Sequence, residues 1–415
     1  MLASAARRGS RAHQLPLLLL ARRLCAQAPA SEPLALLSVD AGSRLLAAVQ
    51  ASDAAWTAAS SPVVPGARLD VHVPTAASVA VHTGPPGVFH VAVESAGPGG
   101  SQVETTWEAS PHGCRFSLAP GPAGAGPHVR VWIPERFHGV SIHSGGHVAL
   151  DRVTEGDVDL RLLGPQATAT LGALKCGNVH IRTAGGAVTA RMLSGDAVGV
   201  HTAGGSLSCD RLVGRRVALV THAGEVKLTA ALVERMRVYG GRTAVHTLRI
   251  GTSARLDASS GAGIAVRAVD GEPGATLLAF TGGGELDVGL EAPAAAFGGI
   301  HLLSGGGDVT VAVPPDWAAP LHCIAGVLDG QQVRDQRMGL PQAAVSPQGR
   351  KGAAVAALSV SAPRLGPVDA GGSPGVAVEA GAGRVRLRLR TWLDMALGMN
   401  RASELRATVD EAHRQ

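Results

Sequence analysis

The middle of the chain alternates apolar and polar residues in short runs that recur about every twenty residues. Runs such as Val179–Ile181 and Val198–Val200 follow the period of a β-strand, and the glycine pairs Gly185-Gly186 and Gly204-Gly205 separate them. One such coil is too small to bury its apolar side alone, so coils of this kind stack on one another. The pattern therefore predicts an all-β fold, a parallel β-solenoid or β-helix with coils of about 20 residues and glycine-rich corners.

Five successive coils align on a valine, and the residue two positions further on is again branched and apolar. Because successive side chains of a strand point to opposite faces, both positions are predicted to face the core. The valines are Val140, Val158, Val179, Val198 and Val217, and the second column is Ile142, Leu160, Ile181, Val200 and Leu219. The positions one and three residues after each valine are predicted to face solvent.

The repeat divides the chain into five predicted parts. They are a leader at 1–31, a β-rich N-terminal part of the solenoid at 34–137, the solenoid repeats at 138–333, a flexible excursion at 334–383, and a terminal strand with a short helix at 384–415. The excursion is poor in pattern and rich in Gly, Pro, Ala and Gln. The helix is predicted over 402–413, and the outer edge of the last strand is predicted to lack a partner.

The leader contains five arginines and no acidic residue, which is the pattern of a mitochondrial transit peptide. A secretory signal with its apolar core at 15–21 is the alternative, but that core is short, contains a proline and is followed by two arginines. The chain has a net charge of +5 and a pI near 9.3, and without the leader its basic and acidic residues are equal in number. The predicted localisation is mitochondrial, and the basic pI belongs mainly to the leader.

The segments 131–134, 140–148, 182–188 and 201–207 resemble an adhesin-like β-solenoid family of unknown function that is widespread in bacteria. The resemblance covers about residues 65–315 and rests on the repeated turn. It implies the β-solenoid fold and carries over no active-site residue. Bacterial turns of this family are commonly Ser-Gly-Asp, a form that only 194–196 matches closely here.

Catalytic and cofactor-binding motifs are absent from the sequence. It contains no phosphate-binding loop, no GxSxG, no HExxH and no EF-hand, so no cofactor and no metal site is predicted. The four cysteines after the leader include no CxxC pair, and buried or idle thiols are predicted. His180, His201 and His222 recur at a constant interval, but they fall at different outward positions and are predicted to stay separate and solvated.

Parallel β-helix enzymes that cleave polysaccharides group carboxylates on one strand face. Here the aspartates of the repeat fall in different registers; they are Asp157, Asp159, Asp196, Asp210, Asp287 and Asp308. A carbohydrate-active or other hydrolytic enzyme is therefore only the alternative function. The first prediction is a non-enzymatic mitochondrial binding or scaffold module.

Basic side chains form two predicted stripes. The first combines His143, Arg161, Arg182 and His201 in one outward register, and the second combines Arg384, Arg386, Arg388 and Arg390 on the last strand. Stacked like charges repel, so each stripe either extends into solvent or contacts an anion. An unknown protein is the predicted partner, with anionic lipid or RNA as alternatives. No apolar run approaches 18 residues, so no transmembrane segment is predicted.

Overall fold

The computed structural model describes residues 36–38, 44–49, 56–73, 77–94, 103–110, 112–119, 127–259, 261–291, 297–314, 321–324, 327–329, 376–381 and 383–389. The predicted leader, the residues 334–375 and the predicted helix at 402–413 lie outside these ranges. The regular elements within them are all β-strands.

Twenty-seven strands follow one another along the described chain. The N-terminal strands are β1 (Leu36–Ser38), β2 (Arg44–Val49), β3 (Trp56–Pro62), β4 (Arg68–Val73), β5 (Ser78–Gly84), β6 (Val88–Glu94), β7 (Val103–Ser110), β8 (Gly113–Leu118) and β9 (His128–Pro134). The central strands are β10 (Gly139–Ser144), β11 (Val148–Thr154), β12 (Val158–Leu162), β13 (Ala169–Lys175), β14 (Asn178–Thr183), β15 (Val188–His201), β16 (Leu207–Val220), β17 (Val226–Gly240) and β18 (Thr243–Ala258). The C-terminal strands are β19 (Ile264–Gly271), β20 (Ala275–Thr281), β21 (Leu286–Leu290), β22 (Phe297–Ser304), β23 (Val309–Val313), β24 (Leu321–Ile324), β25 (Val327–Asp329), β26 (Val376–Glu379) and β27 (Arg384–Leu389).

Stacked parallel coils of about 21 residues form a β-solenoid of about 8 turns, which confirms the predicted fold class. Successive coils pair along two ladders. The first ladder contains β4, β10, β12 and β14, the second halves of β15 to β18, and β20, β22 and β26. The second ladder contains β5, β11 and β13, the first halves of β15 to β18, and β19, β21, β23 and β27.

Antiparallel pairs cover the N-terminal end of the stack. The strands β8 and β9 run parallel to β4 and β5 on one side. On the other side they pair antiparallel with β7 and β6. The strands β2 and β3 then pair antiparallel with β7 and β6. The predicted N-terminal part thus joins the solenoid through β4 and β5, continues it with the parallel strands β8 and β9, and covers those two strands with β7 and β6, which run in the opposite direction.

The predicted inward column is confirmed. Ile142, Leu160, Ile181, Val200 and Leu219 are register partners on successive coils, and each is at most 1% exposed. Valine, leucine, isoleucine and alanine make up most of the core, in agreement with an aromatic content of only 3%. Branched side chains of this size suit the narrow space between the ladders.

In three successive central coils, one corner is a tight turn held by the buried hydroxyl group of a threonine. The Oγ1 of Thr183 donates to the carbonyl oxygen of Gly186 at 2.6 Å, and Thr221 makes the same bond to Gly224 at 2.6 Å. A Cβ on Gly186 would stand 1.6 Å from the carbonyl oxygen of Ala167 in the preceding coil. Close approach of successive coils therefore requires glycine at this position, where φ is not positive.

The last strands do not stack in chain order. The strand β26 lies between β22 and β24, and β27 lies between β23 and β25. The range predicted as a flexible excursion therefore contains a strand, Val376–Glu379. The prediction of a free outer edge on β27 is wrong, because β25 pairs with that edge.

Candidate anion-binding face

The first predicted stripe is assembled as a column on the first ladder. His143, Arg161, Arg182 and His201 are register partners on four adjacent strands. Arg161, however, is bound to Asp159 of its own strand at 3.2 Å, whereas Arg182 has no ion-pair partner within the described residues. His143 is half-buried, and burial, followed by the nearby charge of Arg161, lowers its pKa. Of this stripe, Arg182 is the exposed guanidinium that remains available.

The second predicted stripe lies on the other ladder. Arg386 forms an ion pair with Asp308 at 3.4 Å, and the backbone N–H of Arg384 donates to the same carboxylate at 3.0 Å. The backbone of Arg388 lies in β27, but its side chain and the whole of Arg390 are outside the described residues. The two stripes are therefore separate surfaces, and the second is partly neutralised.

Sequence analysis missed further arginines on the first ladder. Val217 is the register partner of Met236, so the residues beside them, Arg216 and Arg235, are partners as well. Arg237 follows on the same strand and faces outward next to Ala218 of the adjacent coil. All three would have been found if the valine alignment had been extended by one more coil and if the position before each aligned residue had been included.

These arginines belong to an outward surface that we call the basic face. It comprises the outward positions of β14 and of the second halves of β15, β16 and β17: Asn178, His180, Arg182, Ala197, Gly199, His201, Arg216, Ala218, Val220, Arg235, Arg237 and Tyr239. Four of these residues are arginine, two are histidine and none is acidic; the exposed Asp196 and the half-buried Glu234 lie at the corner directly before this surface. Since neighbouring strands are about 4.8 Å apart, the positive potentials of these side chains add.

Acidic residues mark both limits of the basic face. On the strand before it, Asp159 binds Arg161, and on the strand after it, Asp257 binds Arg255 at 2.7 Å. Within the face, Arg235 lies 3.5 Å from Glu234, but that carboxylate also accepts a hydrogen bond from Arg215 at 3.1 Å. Arg182, Arg216 and Arg237 have no ion-pair partner in the described part of the chain.

Three rings meet beside the arginines. The Nε2 atoms of His201 and His222 are 3.2 Å apart, with ring centres separated by 5.1 Å. Tyr239, the single tyrosine of the chain, packs edge-on against His222 with ring centres 5.8 Å apart and is 47% exposed. The prediction of separate histidines is therefore wrong for this pair. His222 has a φ of 53°, which takes it out of the strand alternation on which that prediction depended.

Several aspartates of the repeat have structural partners. Asp157 accepts hydrogen bonds from both the backbone and the side-chain nitrogen of Asn178, at 2.9 and 3.1 Å. Within the described ranges, no group of three or more His, Cys, Asp or Glu residues is arranged to hold a metal ion. Cys176 and Cys209 are buried, and desolvation raises the pKa of each thiol to about 12. Burial also raises the pKa of the Cys114 thiol, and the prediction of buried thiols is confirmed for these three residues.

The described residues include no helix that is long and apolar enough to cross a membrane. Comparison of the chain with protein-family models, with curated proteins and with solved structures finds no match. The resemblance to the adhesin-like family therefore stays a prediction.

Proposed function

We propose that this protein is a non-enzymatic binding or scaffold module and that its basic face binds an acidic segment of a partner protein. The observation that carries the proposal is the set of four arginines on three of four adjacent strands without an acidic residue among the outward positions. Elsewhere on the same ladder, Arg161 and Arg255 are neutralised by an aspartate of their own strand.

Arginine suits this role because its planar guanidinium donates two parallel hydrogen bonds to a carboxylate. The arginines stand on paired strands, so their Cα atoms are held in fixed positions before a partner binds. This lowers the entropic cost of binding. Exposed charges attract a partner over distances up to the Debye length, about 8 to 10 Å at 0.1 to 0.15 M salt. We therefore expect binding that is fast and that weakens as salt rises.

The test compares two variants with equal loss of charge. One replaces the four arginines of the basic face with glutamine, at positions 182, 216, 235 and 237. The control replaces four exposed arginines outside the face: Arg191, Arg211, Arg242 and Arg267. The wild type and both variants are used to capture proteins from a mitochondrial extract at 0.05, 0.15 and 0.5 M salt.

We expect acidic proteins to be captured by the wild type and by the control, and to be lost from the variant of the basic face. Partners that are retained equally by all three proteins, or lost equally from both variants, would refute the proposal. Capture that disappears after nuclease treatment would assign the face to RNA instead. Binding to purified anionic vesicles, with no protein captured, would assign it to lipid.

A further inference from the structure

The contact between His201 and His222 has a geometry that the binding of an acidic segment does not need. Both rings are exposed, and their Nε2 atoms face one another at 3.2 Å. We propose that these two imidazoles form a binding site for a divalent transition-metal ion of the Cu²⁺ or Zn²⁺ type. Water, or an oxygen atom of a bound partner, would complete the coordination.

The distances between the rings fit one shared ion. An ion held by two imidazoles lies about 2.0 to 2.1 Å from each nitrogen, and a near-tetrahedral angle then separates the nitrogens by about 3.3 Å. The ring centres of such a pair are about 5 Å apart. The observed separations are 3.2 Å between nitrogens and 5.1 Å between ring centres. A collinear hydrogen bond between the same nitrogens would place the ring centres about 5.5 Å apart.

Neighbouring residues fix both rings before an ion binds. His222 follows the buried Thr221, and its φ of 53° holds it in the left-handed region. Tyr239 packs edge-on against the His222 ring at an interplanar angle of 86°. His201 ends β15, and its backbone is set by pairing with Arg182 and Val220. A preformed pair of ligands loses less conformational freedom on binding an ion.

The ligand type selects the class of ion. Imidazole nitrogen binds Cu²⁺ and Zn²⁺ well, whereas Mg²⁺ and Ca²⁺ prefer oxygen ligands. Among divalent ions of the first row, Cu²⁺ has the highest affinity for nitrogen sites. The positive charge of Arg182, the register partner of His201, opposes a bare cation and favours an anionic group in the open coordination positions.

The test is calorimetric titration of the full chain with Cu²⁺ and, separately, with Zn²⁺. His201→Gln and His222→Asn each remove one ligand, and asparagine is chosen at position 222 because it tolerates a positive φ. His180→Gln is the matched control, since His180 is an exposed histidine of the same face. We expect at least a tenfold loss of affinity in each ligand variant and none in the control. Tyr239→Phe, which keeps the ring and removes the hydroxyl, is also expected to bind as the wild type does.

Two further measurements make the result decisive. The electron paramagnetic resonance spectrum of one equivalent of Cu²⁺ is expected to show two coupled nitrogens in the wild type and fewer in either ligand variant. Addition of a strong chelator is expected to replace the wild-type spectrum with that of the chelator's metal complex and to leave the fold unchanged. Affinity that is equal in the wild type and in His201→Gln, or lost equally in His180→Gln, would overturn the proposal and leave a hydrogen bond between the two rings as the role of this contact. The arginine variant of the basic face keeps both histidines, so it distinguishes failure of this site from failure of the proposed function.

Discussion

Replacing Gly186 with alanine is expected to force apart two coils at one corner of the solenoid. The new Cβ would stand 1.6 Å from the carbonyl oxygen of Ala167 and 2.6 Å from its carbonyl carbon. Both are backbone atoms of the preceding coil, so no side-chain rotation relieves the overlap. Real Cβ contacts begin near 3.0 Å, and the two coils must therefore separate locally by about 1.4 Å.

A separation of this size removes nearby hydrogen bonds. The N–H of Ala169 donates to the carbonyl of Ala187 at 3.0 Å, and an added 1.4 Å, roughly, takes that pair beyond bonding distance. The bond from Thr183 Oγ1 to the Gly186 carbonyl, now 2.6 Å, is strained by the same movement. Leaving buried polar groups unsatisfied costs about 1 to 3 kcal/mol each. With the N–H of Ala169 and the carbonyl of Ala187 both unsatisfied, the expected loss of unfolding free energy is about 2 to 6 kcal/mol.

The assay is urea unfolding followed by circular dichroism. Gly306→Ala is the control, because a Cβ there meets nothing within 4 Å and its φ is not positive. We expect a lower midpoint for Gly186→Ala and an almost unchanged midpoint for Gly306→Ala. Native-state hydrogen exchange is expected to accelerate first at residues 167–188 in the Gly186 variant. Equal midpoints for the two variants would refute the argument that coil contact, and not chain flexibility, requires glycine at the corner.

Three further predictions concern the core, the thiols and the leader. Ile181→Asp places a carboxyl group in the core and is expected to lower the free energy of unfolding, measured with urea, by at least about 3 kcal/mol. Arg182→Asp at the next, exposed position is expected to change it by less than about 0.5 kcal/mol. Similar losses in the two variants would contradict the register. Because the pKa of Cys176 and of Cys209 is raised to about 12, both thiols stay protonated at pH 8. They are expected to react with iodoacetamide only after unfolding, and mass spectrometry of labelled peptides would reveal the difference. Residues 1–31, fused to a fluorescent reporter, are expected to direct it to mitochondria and to be removed there; a reporter in the secretory pathway would contradict the predicted localisation.

The alternation of apolar residues was sufficient to predict which side chains enter the core. Ile142, Ile181 and Leu219 lie where a period of two places them, because a strand offers only two faces. The alignment on valine stopped at Val217, since the next core residue is Met236, and the arginines of that coil were therefore missed. The strand register continues through Met236 although the residue at that core position is no longer a valine.

Other features depend on three-dimensional geometry that cannot be predicted from the order of residue types along the chain. His222 meets His201 because one residue in the turn adopts a positive φ, and a histidine at that place gives no signal of it. Likewise, the strand pattern predicted β27 but not its neighbours, because stacking order is set by contacts between segments far apart in the chain. The ion pair between Arg161 and Asp159 could have been predicted from the sequence, because two opposite charges two residues apart on a strand lie on the same face.

The position of β26 and β27 has a consequence for biosynthesis. A ribosome releases β24 and β25 before β26 and β27, yet the later pair separates the earlier one from β22 and β23. During translation the edges of β22 and β23 are free to pair with the wrong segment, and such a register would have to be displaced by strand exchange once residue 389 has emerged. The last two coils therefore close only after β26 and β27 have been synthesised, and truncation before β26 would leave β22 and β23 without the strands that normally pair with them.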